Sequence, residues 1–194
     1  MLESVRRALT RPPVRVKQEH GPMAAVAMVL MPGEDVLFIR RAVKPTDPWS
    51  GHVSFPGGRK DPADPDTLTT AIRETREEVG VDLGRAHLIG ELDEVRTVGV
   101  EPALVIRPYV FAAEAPAAFA LQAEEVAGVH RFPLERLLAG DGRGMMKWSR
   151  HGFDLDLPCI DFDGVRLWGL TLLMVDDLLH RLDGRGVGAA RNRG

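Results

Sequence analysis

Residues 57–81 read GGRKDPADPDTLTTAIRETREEVGV, and this stretch restricts the fold more than any other. Two glycines make a turn and an acidic loop follows. A helical run then carries Glu74, Glu77 and Glu78 at spacings i, i+3 and i+4. That spacing places three carboxylates on one side of a helix. Leu68, Ala71, Ile72 and Val79, with Thr75 among them, cluster on an adjoining face. The helix must therefore bury one face while its acidic flank lines a cleft. Three like charges this close repel, and a divalent cation held by oxygen ligands relieves the repulsion. Magnesium-dependent phosphate chemistry is the leading expectation. The competing reading is a solvated helix face with Arg73 and Glu77 as an i,i+4 pair.

The flanking segments define what this helix packs on. Met23 to Met31 is a nearly continuous apolar run, as expected of a strand buried on both faces. Turn residues 32–35 lead into a return strand, Val36 to Arg40. The helix is expected over Thr67–Val79, with Gly80 as its stop. Further strands are expected at His87–Val95, Leu104–Ala112, Val126–Phe132, 145–149, 153–157, 159–162 and 165–168, with a short helix at Leu134–Ala139. A final helix, Gly169–Leu182, is expected to turn Leu170, Leu173, Met174, Leu178 and Leu182 inward, with a homodimer contact as the minor reading. Strands and helices mix without regular βαβ alternation, so the fold class is α/β, a mixed sheet between helices. The 194 residues divide into an N-terminal segment 1–20, one domain 21–183, and a tail 184–194 expected to be disordered.

Composition narrows the partners. A net charge of −3 argues against a protein built to grip a nucleic-acid backbone. No apolar run approaches the ~20 residues that a membrane-spanning helix needs. Cys159 is the only cysteine, so neither an intramolecular disulfide nor a thiolate zinc site is available, and a cytoplasmic setting is expected. The six histidines lack ligand spacing, and His52 alone sits near the expected cleft. Trp148 and Trp168 are expected in the core. Trp49, in the loop 43–51, is read as a loop anchor ahead of a base-stacking residue.

Segment 55–81 resembles the Nudix box, G-x5-E-x7-R-E-U-x-E-E-x-G-U with U apolar. Arg73 to Val81 matches its second half closely, with Thr75 where an aliphatic residue is usual. The first half is one residue longer and lacks its glutamate; Asp61, Asp64 and Asp66 are the acids there. That expansion, with FPGG, Asp61 and Asp64, is similar to the coenzyme A pyrophosphatase branch of the Nudix hydrolases. Arg41-Ala42, Gly51 and 55–58 fit its upstream signature; the Arg41–Gly51 spacing is one residue longer, and the signature's second arginine is missing, with Thr46 or Asp47 near its place. The stretch LPCIDFDGVRLWGLT is also similar to this branch.

The resemblance implies a Nudix α/β/α sandwich and a pyrophosphohydrolase using Mg2+, with Mn2+ as the alternative ion. The substrate is expected to be a small-molecule nucleotide, coenzyme A or a derivative first, then ADP-ribose, dinucleotides or nucleotide sugars. Gly57 would offer its carbonyl, Glu77 and Glu78 would ligate metal, and Glu74 would ligate metal or position the water. Arg73 would orient the glutamates. Of the pair Glu124 and Glu125, Glu125 is preferred as a further ligand or general base. Arg40, Arg41, Gly58, Arg59 and Lys60 are the residues expected to meet substrate phosphates. A nucleotide-sensing domain without turnover and a diphosphate isomerase are the readings from other classes; the sensing reading is disfavoured because all three helix glutamates are present.

Overall fold

The computed structural model describes residues 1–17, 21–45, 49–98, 101–150 and 153–184. Strand β1 (Met23–Met31) shows why its sequence is apolar throughout. Ala25, Ala27, Val29 and Met31 enter one core, while Met28 and Leu30 enter another on the opposite face. The period of two along a strand produces that division. β1 pairs antiparallel with β2 (Asp35–Arg41) and parallel with β7 (Val105–Ala112).

Among the described residues the main sheet has eight strands with the central order β3-β2-β1-β7-β5. β3 (Val53–Ser54) and β8 (Val126–Pro133) pair with β2, β4 (Gly57–Arg59) with β1, and β5 (His87–Glu91) and β6 (Val95–Arg96) with β7. Helix α2 (Thr67–Val79) covers one face through Ala71 and Val79. Helices α1 (Leu2–Ala8), α3 (Leu134–Ala139) and α4 (Gly169–Leu182) cover the other, together with a three-stranded sheet. That sheet consists of β9 (Arg143–Arg150), β10 (Phe153–Phe162) and β11 (Val165–Trp168). The result is an α/β/α sandwich with a mixed sheet in the middle.

Four sequence expectations shift. The expected strand His87–Val95 is two strands, interrupted where Asp93 and Glu94 turn into ion pairs. β10 runs through Pro158, because β11 pairs only from Cys159 onward and leaves no β11 partner opposite the proline. Leu173 is 56% exposed rather than inward, whereas Leu172 and Val175 are buried. Trp148 and Trp168 lie outside the core, half-buried. The tail from 185 onward lies outside the described residues, as do Thr46, Asp47, His20 and His151.

Charged residues fasten the N-terminal stretch to the domain. Arg181, buried on α4, pairs with Asp177 at 3.0 Å and with Asp93, and its Nη1 donates to the Arg11 carbonyl. The Val14 and Val16 amides donate to Asp93 and Glu94, both at 2.8 Å. Glu94, whose side chain is 3% exposed, takes Arg107 at 2.7 Å. Buried carboxylates survive here because each meets a charged or backbone donor.

Candidate metal centre beside the glycine turn

The site is built on the edge strand β4 and the helix beside it. Lys60 and Ala27 amides donate to the Met23 and Pro56 carbonyls, which fixes the β1–β4 ladder. Antiparallel alternation then turns the backbone groups of Gly57 away from β1. Its amide accordingly reaches Glu78 Oε2 at 2.8 Å. Gly57 has φ +146°, and a Cβ there would run into the Ala25 carbonyl oxygen, so only glycine fits. At Gly58 a Cβ would sit 2.5 Å from the carboxyl carbon of Glu74. The two glycines thus leave the room that the two carboxylates occupy.

Helix α2 starts at Asp66, whose side chain accepts from the Thr69 amide at 2.8 Å, and ends at Gly80 with φ 74°. Thr75, unusual for its position in the motif, is fully buried and donates its hydroxyl to the Ala71 carbonyl at 2.7 Å. The last-turn carbonyls of α2 find partners in a distant loop. Glu78 and Val79 carbonyls accept from the Gln122 and Ala120 amides, both at 3.1 Å. This docking brings Glu125 to the helix. Its own amide donates to Gln122 and its carbonyl accepts from Ala42, so the backbone of Glu125 is held on both sides.

Oxygens of Glu74, Glu78 and Glu125 consequently lie within 4.8 Å of one another. Glu78 is buried, and burial pushes its carboxyl up to about 8 against the Gly57 hydrogen bond. Burial also raises Glu74, although Arg73 pulls the other way. All donors are hard carboxylate oxygens, a set that suits Mg2+ or Mn2+, and a cation there would relieve the buried charge of Glu78. Glu77 is outside this group. It lies one step outward on the helix, with its side chain 45% exposed, and pairs with Arg73 at 2.9 Å.

Arg73 is the hub of the flank. Its Nε and Nη2 bind both oxygens of buried Asp64 at 3.1 and 2.9 Å, and its Nη1 lies 2.9 Å from Glu74 and from Glu77. Asp64 also accepts from the Asp61 amide and the Thr70 hydroxyl, and these contacts with Arg73 hold it far below the usual carboxylate range. Sequence reasoning counted Asp64 among the loop acids without assigning it this place. The nine-residue spacing from Asp64 to Arg73 permits that loop closure without specifying it.

Arg73, Glu74, Glu77, Glu78 and Glu125 line one cleft of about 700 Å3. Gly57, Gly58, Arg41 and Arg59 line it, but two residues expected at the phosphates do not. Arg40 turns to the opposite side of β2 from Arg41, toward the His130 ring at 3.4 Å. Lys60 donates its ammonium to the Asp64 carbonyl within its own loop. Trp49, His52 and Trp168 line the cleft as well; from sequence, His52 is expected near it, Trp168 in the core, and Trp49 as a loop anchor ahead of a stacking residue. Leu167 is fully buried, so alternation along β11 turns Trp168 the other way.

A glycine turn, an Arg-Glu-rich helix and an α/β/α frame together define a class, and the NUDIX domain model matches residues 21–151. The chain belongs to the NUDIX family. It is 36% identical over 152 residues to the mitochondrial coenzyme A diphosphatase NUDT8 of Homo sapiens, covering 76% of this chain and 62% of that protein. It is 41% identical over 108 residues to an uncharacterized Schizosaccharomyces pombe protein, covering 53% of this chain and 33% of the other. The chain thus spans less than two thirds of the length of either relative. In fold it is similar to the MutT protein from Methanosarcina mazei Go1, with a TM-score of 0.53, 18% identity, and coverage of 87% and 97% of the two chains.

Proposed function

We propose that this protein is a divalent-cation-dependent pyrophosphohydrolase that cleaves coenzyme A or a derivative to 3′,5′-ADP and 4′-phosphopantetheine. The observation that carries the reading is the meeting of Glu74, Glu78 and Glu125 oxygens within 4.8 Å beside a glycine turn. Similarity to the human coenzyme A diphosphatase supports the choice of substrate. Neither a sensing domain nor an isomerase gains a specific observation.

Glu78, Glu74 and Glu125 would hold the cation, with Glu77 and the Gly57 carbonyl as the remaining ligand candidates. Bound there, Mg2+ or Mn2+ supplies charge neutralisation for the diphosphate oxygens and acidifies coordinated water. Arg41 and Arg59 line the same cleft and meet the phosphates. Arg73, anchored by Asp64, keeps Glu74 and Glu77 in place and is a positioning residue. Water adds to one phosphorus, the bridging P–O bond breaks, and the displaced phosphate carries away the bond electrons. Glu74, where it does not ligate the cation, would position the water and receive its proton. Glu125 stands beside it, with its side chain 45% exposed, as the alternative acceptor. A cytoplasmic setting is part of the proposal and rests on composition.

The test is a substrate panel of coenzyme A, ADP-ribose, NADH and dinucleoside polyphosphates with Mg2+ or Mn2+, products being separated by chromatography. Coenzyme A is expected to give the highest kcat/KM. Preference for ADP-ribose or a dinucleotide would replace the substrate while keeping the chemistry. No turnover of any member would overturn the hydrolase reading.

A further inference from the structure

The chain has three tryptophans, and all three gather at one place. His52 lies edge-on to Trp168, with centroids 4.8 Å apart, and edge-on to Trp49 at 6.2 Å. Trp148 adjoins Trp168 at 6.4 Å. Residues 49 and 52 come from the loop before β3 and residues 148 and 168 from the three-stranded sheet, so tertiary packing assembles the group. The core does not use them: its aromatic packing is phenylalanine, with Phe38 stacked on Phe55 and Phe132 against Phe162. Trp49 stays 37% exposed, and Trp49, His52 and Trp168 line the same cleft as the carboxylates.

That cleft therefore carries two kinds of lining. One offers carboxylates and arginines for a metal-bound diphosphate. The other offers large, flat, electron-rich rings. Aromatic walls of this kind bind planar heterocycles by stacking, because every base has a π face. A flexible chain of amides and methylenes has no such face to present.

We propose that Trp49, His52 and Trp168 form the subsite for the substrate's nucleobase and so determine which half of a nucleoside diphosphate derivative meets these rings. The assignment rests on the functional reading above for the substrate class, but its test does not depend on turnover. Every tryptophan belongs to the cluster, so the tryptophan fluorescence of the protein, excited selectively over Tyr109, reports on it. Adenosine 3′,5′-bisphosphate is titrated into the full chain, with ribose 5-phosphate as the probe lacking a base and 4′-phosphopantetheine as the other half. The bisphosphate is expected to quench saturably while the other two leave the signal unchanged. Trp49→Ala is expected to weaken its binding about tenfold and Trp49→Phe to restore most of it. Trp168→Phe, which keeps a ring at the β11–α4 junction, is expected to bind within a few-fold of the parent. In steady state the Trp49→Ala loss should fall on KM rather than kcat. Equal quenching by ribose 5-phosphate or by 4′-phosphopantetheine, or unchanged affinity in Trp49→Ala, would overturn the subsite. Base-dependent quenching in a chain that hydrolyses nothing would overturn the hydrolase reading and leave the subsite standing.

Discussion

The Gly57 amide donates to Glu78 Oε2 at 2.8 Å, which ties the edge of the sheet to the most buried carboxylate of the cluster. Neighbouring Gly58 serves the same cluster in a different way, and the two glycines are predicted to fail differently. Gly57→Ala forces alanine to a positive φ and drives a Cβ into β1, so it should cost about 3 kcal/mol or more of stability. Gly58 has no such angle; its added Cβ meets only the end of the Glu74 side chain. Gly58→Ala should melt within a few degrees of the parent yet lose on the order of 10²-fold in kcat/KM, since a displacement of about 1 Å at a reacting group costs that much. Thermal melts alongside kinetics separate the two.

Acid stability should follow Asp64. Its carboxyl is held far below the usual carboxylate range in the folded chain, chiefly by Arg73. A depressed folded pKa contributes stability that is present above the unfolded value and lost as pH falls below it. Melts from about pH 6 down to about pH 2 should therefore show a loss beginning near pH 4. Asp64→Asn should be less stable at neutral pH by about 2–4 kcal/mol and flatter through that acid window. A parallel acid limb in the variant would remove Asp64 as its source.

Glu78 shows the opposite sign. Burial raises its folded pKa to about 8 from 4.5, so its contribution is fully present below 4.5 and is lost as pH rises through about 8. Without divalent cations the protein should lose stability across that window. Because a bound cation replaces the proton, the rise in melting temperature given by Mg2+ should be larger at about pH 8.5 than at about pH 6. Glu78→Gln should shrink the Mg2+ effect and its pH dependence and abolish turnover. A Mg2+ effect independent of pH in the parent would contradict the linkage.

Arg107 should matter for stability and little for specificity. It pairs with Glu94 at 2.7 Å, a carboxylate almost out of solvent that also binds the Val16 amide. Arg107→Leu leaves that charge with Arg15 at 3.4 Å as its cationic partner. A loss of about 2–4 kcal/mol is expected, or roughly 5–15 °C in melting temperature for a chain of this size. The ranking of substrates should not change.

Local signals in the sequence were legible because the physics behind them is local. Helix α2 spans Thr67–Val79 between the Asp66 cap and Gly80, as its capping residues and spacing require. The apolar run 23–31 is a strand covered on both faces. The carboxylate spacing put Glu74 and Glu78 side by side but could not tell Glu77 apart, because Arg73 and a one-step rotation decide that. Long-range placements were out of reach. Arg40 and Arg41 look equivalent in sequence, and only the strand's facing separates them. Trp168 read as core because strands rich in large residues usually are, whereas here Leu167 fills the core and the tryptophan faces the cleft. Asp64 acquires its partner nine residues away through loop closure, which spacing alone does not specify.

The most direct test of the carboxylate cradle is a crystal grown with Mn2+ and read by its anomalous signal. The account predicts an anomalous peak coordinated by Glu78 and Glu74, with Glu125 or a water it holds completing the shell and the Gly57 turn alongside. Density showing these side chains turned to bulk solvent, or the ion bound elsewhere, would contradict it.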